Sequence, residues 1–333
     1  MTSRARASVL GVLALACAGA LAASCTWNYS VDEALGDAGG DDVSIDSSFV
    51  DASADTAYVL PDGRVCSGHD EDGDGVPDDC DNCPNVANPD QAGSDIGTAC
   101  APASAFIAAP SRLLFDPFRS FGWTTFGSGP GVFQSAPDGD SIAGGTTGVD
   151  LPFVVGMTGA GASAVVVTTT VTIVEEASDN AGPGAGVLLR VNGSPTKRFF
   201  LCGVSTVSGF AAQRAPDGGC TGGVCAAVTF TYAVDGGTAP AQFTIPADIP
   251  HKIGDTIGLR ASATASLGDG GILGDFECRV FDPKRPETLK STDSKYAAKV
   301  TAGGARWMPS GEIGLYAQRA KAVFGSVDVL RGP

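Results

Sequence analysis

Apolar and polar positions divide this chain into unlike parts. From about Arg112 to Val329, apolar residues come in short runs rich in β-branched side chains. The longest is Ser163–Glu175, read SAVVVTTTVTIVE. It is followed by Val187–Val191, Phe199–Cys202, Val228–Val234, Thr256–Ala261 and Phe276–Val280. None of these carries the three-to-four-residue stripe of an amphipathic helix, and β-branched crowding favours extended backbone. Clusters of Gly, Asp and Pro separate the runs, as turns between strands require. Only Lys290–Thr301 is expected to hold a short helix. Many short strands with such turns predict an all-β sandwich or jelly roll over residues 101–333.

The N-terminal hundred residues read differently. Val9–Leu21 is apolar, follows Arg4 and Arg6, and is too short for a stable membrane span. It reads as a secretion signal over residues 1–24. Thr26–Pro61 is Asp, Ala, Gly and Ser without period. Such a segment buries too little surface to offset chain entropy, so residues 25–65 are expected to form a disordered, acidic linker.

Charge sharpens this division. The 333-residue chain has a formal net charge of −16. Residues 26–100 hold 18 acids and one base, Arg64, whereas residues 101–333 hold 19 acids and 18 bases. Acidity therefore belongs to the N-terminal arm, where it suits cations. It argues against nucleic acid, whose phosphates would be repelled.

The densest acidic stretch, His69–Gln91, carries eight carboxylates and almost nothing apolar. Asp70, Asp72 and Asp74 alternate, Gly75 follows, then Asp78 and Asp81. Calcium takes six to eight hard oxygens, and carboxylates at alternate positions wrap one ion. Gly75 permits the sharp bend, and Val76 is placed to give its carbonyl oxygen. Without an ion these carboxylates repel one another. An EF-hand loop begins alike, but Asp81 stands where its glutamate belongs, Asn82-Cys83-Pro84 follows, and no helical pattern flanks the loop.

The segment more closely resembles a thrombospondin type 3 repeat, through Asp81-Asn82-Cys83-Pro84 and Asn88-Pro89-Asp90-Gln91 after the aspartate run. The resemblance covers about residues 66–100. It implies a calcium-wrapping module with little secondary structure, tied by disulfides. It pairs Cys83 with Cys100 and leaves Cys66 with Cys80. The second acidic run of that family is missing, since Gly93–Cys100 keeps a single acid, so one or two ions are expected. The module is expected to act as a structural spacer.

Leu21-Ala22-Ala23-Ser24-Cys25 resembles the lipobox of bacterial lipoproteins. That resemblance implies cleavage before Cys25, a diacylglyceryl group on its sulfur, and an envelope location. With Thr26 after it rather than Asp, the outer membrane is the expected site. Ordinary signal cleavage near Ala23 is the alternative. With Cys17 and Cys25 set aside, eight of ten cysteines remain, an even number that suits disulfides in an exported protein. Pairing is not readable from spacing. Cys220 and Cys225 flank a Gly-rich tetrapeptide and are expected to pair locally. Cys202 and Cys278 lie in strand-like runs and are expected to bridge neighbouring strands.

The strand order resembles a concanavalin A-like jelly roll of the laminin G and lectin group. The carriers are Phe115–Trp123 and Phe126, Gly131–Gln134, Ala185–Arg190, Gly311–Tyr316 and Ala322–Val329. The resemblance implies a carbohydrate or another surface partner, with Trp123, Trp307, Tyr316, Arg190 and Arg260 as candidate ligand contacts. Glucanases of this fold carry E-x-D-x-x-E on one strand. That spacing does not occur here, and neighbouring Glu175 and Glu176 point to opposite strand faces. With two histidines and no GxSxG, HExxH or P-loop, an enzyme is the less favoured reading. A diverged glycoside hydrolase or lyase and a purely structural envelope protein remain the alternatives.

Overall fold

The structure is a computed structural model. It describes residues 58–59, 63, 65–66, 68–103, 107, 109–118, 123–126, 133–136, 141–146, 153–157, 164–178, 184–192, 198–206, 227–232, 242–268, 271–303 and 311–332. The signal segment, Cys25, most of the linker, the Cys220–Cys225 pair and Trp307 lie outside the described residues.

A two-stranded ribbon, β1 (Tyr58–Val59) with β2 (Val65–Cys66), precedes the acidic segment. The rest is strand-dominated. The elements are β3 (Ser111–Asp116), β4 (Thr124–Phe126), β5 (Gln134–Ser135), β6 (Ile142–Thr146), β7 (Phe153–Met157), β8 (Val165–Glu176) and β9 (Ala185–Asn192). Then come β10 (Arg198–Ser205), β11 (Ala227–Tyr232), β12 (Gln242–Thr244), β13 (Thr256–Gly268), β14 (Gly271–Phe281), β15 (Ala297–Gly303), β16 (Glu312–Ala317) and β17 (Ala320–Arg331). They form two antiparallel sheets. The first has the order β12-β11-β10-β9-β16-β7-β4; the second runs β15-β14-β13-β8-β17-β6-β5, with β3 also on β17. The helix expected at Lys290–Thr301 lies earlier, as α1 (Pro286–Lys290), with a 3-10 turn at Ser294–Tyr296. Proline at the first helical position fits that start. Beyond the turn the chain pairs with β14 as β15, so ladder formation takes over from helix.

Alternation assigns the faces. Val165, Val167, Val171 and Ile173 of β8 meet Val187, Leu189, Phe200 and Val204 of the first sheet and Leu259, Phe276 and Phe324 of the second in one apolar core. Their neighbours Val166, Thr168 and Thr170 point the other way, yet are also buried. The stretch Val165–Val171 is thus buried on both faces, with Thr170 on the outer face under Glu71 of the acidic segment, while Thr172, Val174 and Glu175 keep some exposure. Cys202 on β10 and Cys278 on β14 join the two layers, with Cα atoms 5.1 Å apart. They do not bridge neighbouring strands: both side chains face the interlayer core, so the bond staples sheet to sheet. In the chain-entropy account a closed loop of this size contributes about 4 kcal/mol.

Candidate metal centre

The acidic segment has almost no regular structure, and its carboxylates do the folding. The Gly73 and Asp74 amides donate to Asp70 Oδ1 at 2.9 and 3.2 Å, and the Gly75 amide to Asp70 Oδ2 at 2.8 Å. The Val76 and Asn88 amides donate to the two oxygens of Asp74, at 2.8 and 2.7 Å. Gly73 and Gly75 hold φ of +74° and +93°, which lets the chain turn tightly around these side chains. Cys66–Cys80 and Cys83–Cys100 close the coil at both ends.

Three further aspartates share one arrangement. Asp72 Oδ1 accepts from the Asp74 amide at 3.1 Å. Asp78 Oδ1 accepts from the Glu71 amide at 3.0 Å. Asp81 Oδ1 accepts from the Cys83 amide at 2.7 Å and from Gln91 Nε2 at 2.8 Å. In each case Oδ2 is buried with no hydrogen-bond partner. The residues are only 1%, 2% and 5% exposed. A buried polar atom left unsatisfied costs about 1–3 kcal/mol, and more when charged. Three such atoms lie in one small coil, and a hard cation is a partner that would satisfy them. Oxygens of Asp70, Asp72 and Asp74 lie within 4.8 Å of one another.

The electrostatics agree. Burial, then the carboxylates of Asp81, Asp74, Asp70 and Asp78, push the Asp72 carboxyl up to about 10. Burial pushes Asp81 up to about 7, against the hydrogen bonds from Cys83 and Gln91. Asp78 is raised by burial and by Glu71, and Asp74 by burial. Carboxyls so placed take up protons unless a metal replaces them. The donors are all oxygen, and the nearby cysteines are committed to disulfides, so the set fits a hard cation and excludes a thiolate-bound one.

The segment Gly93–Cys100, poor in acids, packs instead of ligating. The Gly97 amide donates to the Asn82 carbonyl at 2.9 Å. A Cβ on Gly97 would stand 2.2 Å from Asn82 Oδ1 and 2.4 Å from Cys83 Sγ. Only glycine fits there.

The module is no free-standing spacer, because it is seated on the outer face of the second sheet. Cys83, Val86, Ala99 and Cys100 share a small apolar core with Phe281 and Leu289. Glu71 accepts from the Thr170 hydroxyl and from His69, and stands where any side chain at Gly325 would be. The Ser326 hydroxyl donates to Asn85 Oδ1 at 3.2 Å. Arg112 pairs with buried Asp328 at 2.7 Å and donates to the Asn82 carbonyl at 3.0 Å. Arg260 donates to the Cys100 carbonyl at 2.5 Å and to Thr168 Oγ1 at 3.1 Å. Sequence reasoning missed Glu71, Asn82, Asn85 and Arg112. Their partners lie far along the chain, and no local pattern announces them.

Three of the residues proposed to touch a ligand on the sandwich, Trp123, Tyr316 and Arg190, are not surface residues. Trp123 is 4% exposed, stacks at a tilt on Phe118, and donates from Nε1 to Asp116 Oδ2 at 2.7 Å. It is a core residue with its one polar atom satisfied. Tyr316 packs with Leu188 and Leu201, its hydroxyl donates to Gln318 Oε1, and burial raises the phenol. Arg190 is 1% exposed, and burial draws its guanidinium down to about 10.

Residues 62–91 match the thrombospondin type 3 repeat family. No curated protein matches the chain. Among solved structures, the chain is similar to a protein of unknown function with galectin-like fold from Bacillus subtilis. That match has 13% identity, covers 67% of this chain and 98% of the other, and has a TM-score of 0.36. The exoplasmic/lumenal domain of VIP36, in its Ca2+/Man3GlcNAc-bound form, is 10% identical over 65% and 86% of the two chains, with a TM-score of 0.39. Peanut lectin with a nine-residue peptide is 8% identical over 67% and 97%, with a TM-score of 0.35.

Proposed function

We propose that residues 66–100 bind calcium and that the ion fastens this module to the sandwich. Asp70, Asp72, Asp74, Asp78 and Asp81 supply carboxylates and Val76 its carbonyl. The observation that carries this reading is the set of buried, partnerless Oδ2 atoms on Asp72, Asp78 and Asp81. Calcium suits the many oxygen donors and the irregular loop better than magnesium, which demands a near-ideal octahedron. Bound ions would cancel the repulsion within the coil and rigidify Glu71, Asn82 and Asn85, which hold the sheet. The test is calorimetric titration of calcium into the purified chain, with thermal melts alongside. Saturable binding of one or two ions with a rise in melting temperature is expected. No heat and no shift at millimolar calcium would reject the reading.

The wider reading is an exported protein, anchored by lipid on Cys25 in the outer membrane, whose sandwich takes a carbohydrate or another surface partner. It draws on the short apolar run Val9–Leu21 before Cys25. Detergent partitioning tests the anchor. The native chain should enter the detergent phase and the Cys25→Ser chain should not.

A further inference from the structure

A groove of about 950 Å³ opens on the outer face of the second sheet, between β13, β14 and β15 and the connection Lys290–Ala297, with Ala101–Ala103 at one wall. It lies beside the calcium module and away from the first sheet. Its volume is at the upper end of small-molecule sites, about 300–1,000 Å³. Its charge runs against that of the chain. Arg260, Arg279, Lys290 and Lys299 line it, against only Glu277 and Asp293. Ser262, Thr292 and Ser294 add hydroxyls.

The cations are partly committed. Arg279 Nε donates to Glu277 Oε1 at 3.0 Å, its Nη1 donates to the Ser291 carbonyl at 2.6 Å, and Lys299 pairs with Glu277 Oε2 at 2.9 Å. Burial works against the Glu277 charge, but Arg279 and Lys299 more than offset it and hold the carboxyl below its usual range. Arg260 spends Nε and Nη2 on Thr168 and Cys100. That leaves Nη1 of Arg260 and Nη2 of Arg279 without an acceptor among the described residues. Both arginines line one groove, and Glu277 neutralises a single positive charge.

We propose that this groove binds a carboxylate-bearing sugar, a uronic acid unit of an acidic glycan. The carboxylate would sit against Arg260 and Arg279, whose planar forks match its geometry. The ring hydroxyls would meet the Ser and Thr side chains. The assignment to a glycan rests on the carbohydrate reading of the sandwich; the anion site does not.

The test is calorimetric titration of the calcium-loaded full chain with uronate oligosaccharides, matched neutral oligosaccharides and free citrate. The variants are Arg279→Gln, Arg260→Lys and Lys299→Glu. Lys299 is 73% exposed, so its change leaves folding intact and keeps the test decisive where an arginine variant misfolds. Uronate binding weakened at least about tenfold by Arg279→Gln and Lys299→Glu, and weakened by salt, is expected. Uronate binding unchanged in these variants would overturn the proposal. Neutral sugar bound equally well, insensitive to the variants, would also overturn it while leaving the carbohydrate reading standing. Citrate bound as tightly as the oligosaccharide would overturn the glycan assignment and leave an anion site. Silence from every carboxylate would overturn the whole.

Discussion

Replacing Asp72 with asparagine should stabilise the calcium-free chain, and calcium should erode that advantage. In the calcium-free chain the Asp72 carboxyl is pushed up to about 10 from an ordinary 3.8, by burial and then by its carboxylate neighbours. A raised carboxyl pKa means the folded state holds its proton more tightly than the unfolded one. The penalty is absent below the ordinary value and grows as pH rises through the window between the two. At pH 7 the relevant gap is 7 − 3.8, about three units, or about 4 kcal/mol at 1.36 kcal/mol each. The asparagine side chain never ionises and avoids that penalty. At roughly 2–4 °C per kcal/mol, the variant in chelator should melt about 10 °C above the native chain. In calcium the gap narrows. The native chain gains about 2.7 kcal/mol for free calcium at a hundred times its dissociation constant and about 4.1 kcal/mol at a thousand times, which cancels the variant's lead, whereas the variant has lost a charged ligand. Differential scanning calorimetry at pH 7, in chelator and in millimolar calcium, reads both arms. A variant less stable than native in chelator, or stabilised equally by calcium, would refute the reasoning.

Three other outcomes follow from the same geometry. Arg112→Ala leaves Asp328 buried and unpaired, and should cost about 3–5 kcal/mol by denaturant unfolding; a loss under about 1 kcal/mol would show the module is not held there. Trp123→Ala should cost a similar 3–5 kcal/mol, roughly, through the cavity and the lost donor to Asp116 Oδ2; an unchanged melt with loss of glycan binding would return Trp123 to the surface. Melting curves against pH should diverge by calcium content. In chelator, stability should rise as pH falls from about 8 to about 5, as Asp81, poised at about 7, and its neighbours take up protons. With calcium the gain should shrink over the same range, because protons displace the ion; parallel curves would contradict this.

How much could be read from the chain alone depended on how local each signal is. Spacing in Asp70–Asp81 is local, so the acidic repeat over residues 62–91 was legible as a motif. Strand character in β8 was legible because β-branching acts on each residue's own backbone. The burial of its outward threonines was not, since the covering residue Glu71 lies 99 positions from Thr170. Arg260 stood among the candidate ligand contacts, and Arg112 carried no site reading at all. They became anchors because backbone carbonyls 30 and 160 positions away arrive above them. Trp123 shows the same limit. An aromatic run marks a strand but not which of its faces meets water. The helix expected after Lys290 failed where pairing with β14 outweighed a weak helical pattern.

The central claim is that buried carboxylate oxygens in residues 66–100 await a cation. Equilibrium dialysis of the native chain against calcium, with the Asp72→Asn, Asp78→Asn and Asp81→Asn triple variant beside it, tests it most directly. The account predicts one or two ions per native chain at saturation and none on the variant. A native chain that stays empty at millimolar calcium, or a variant that fills as well as the native one, would contradict it.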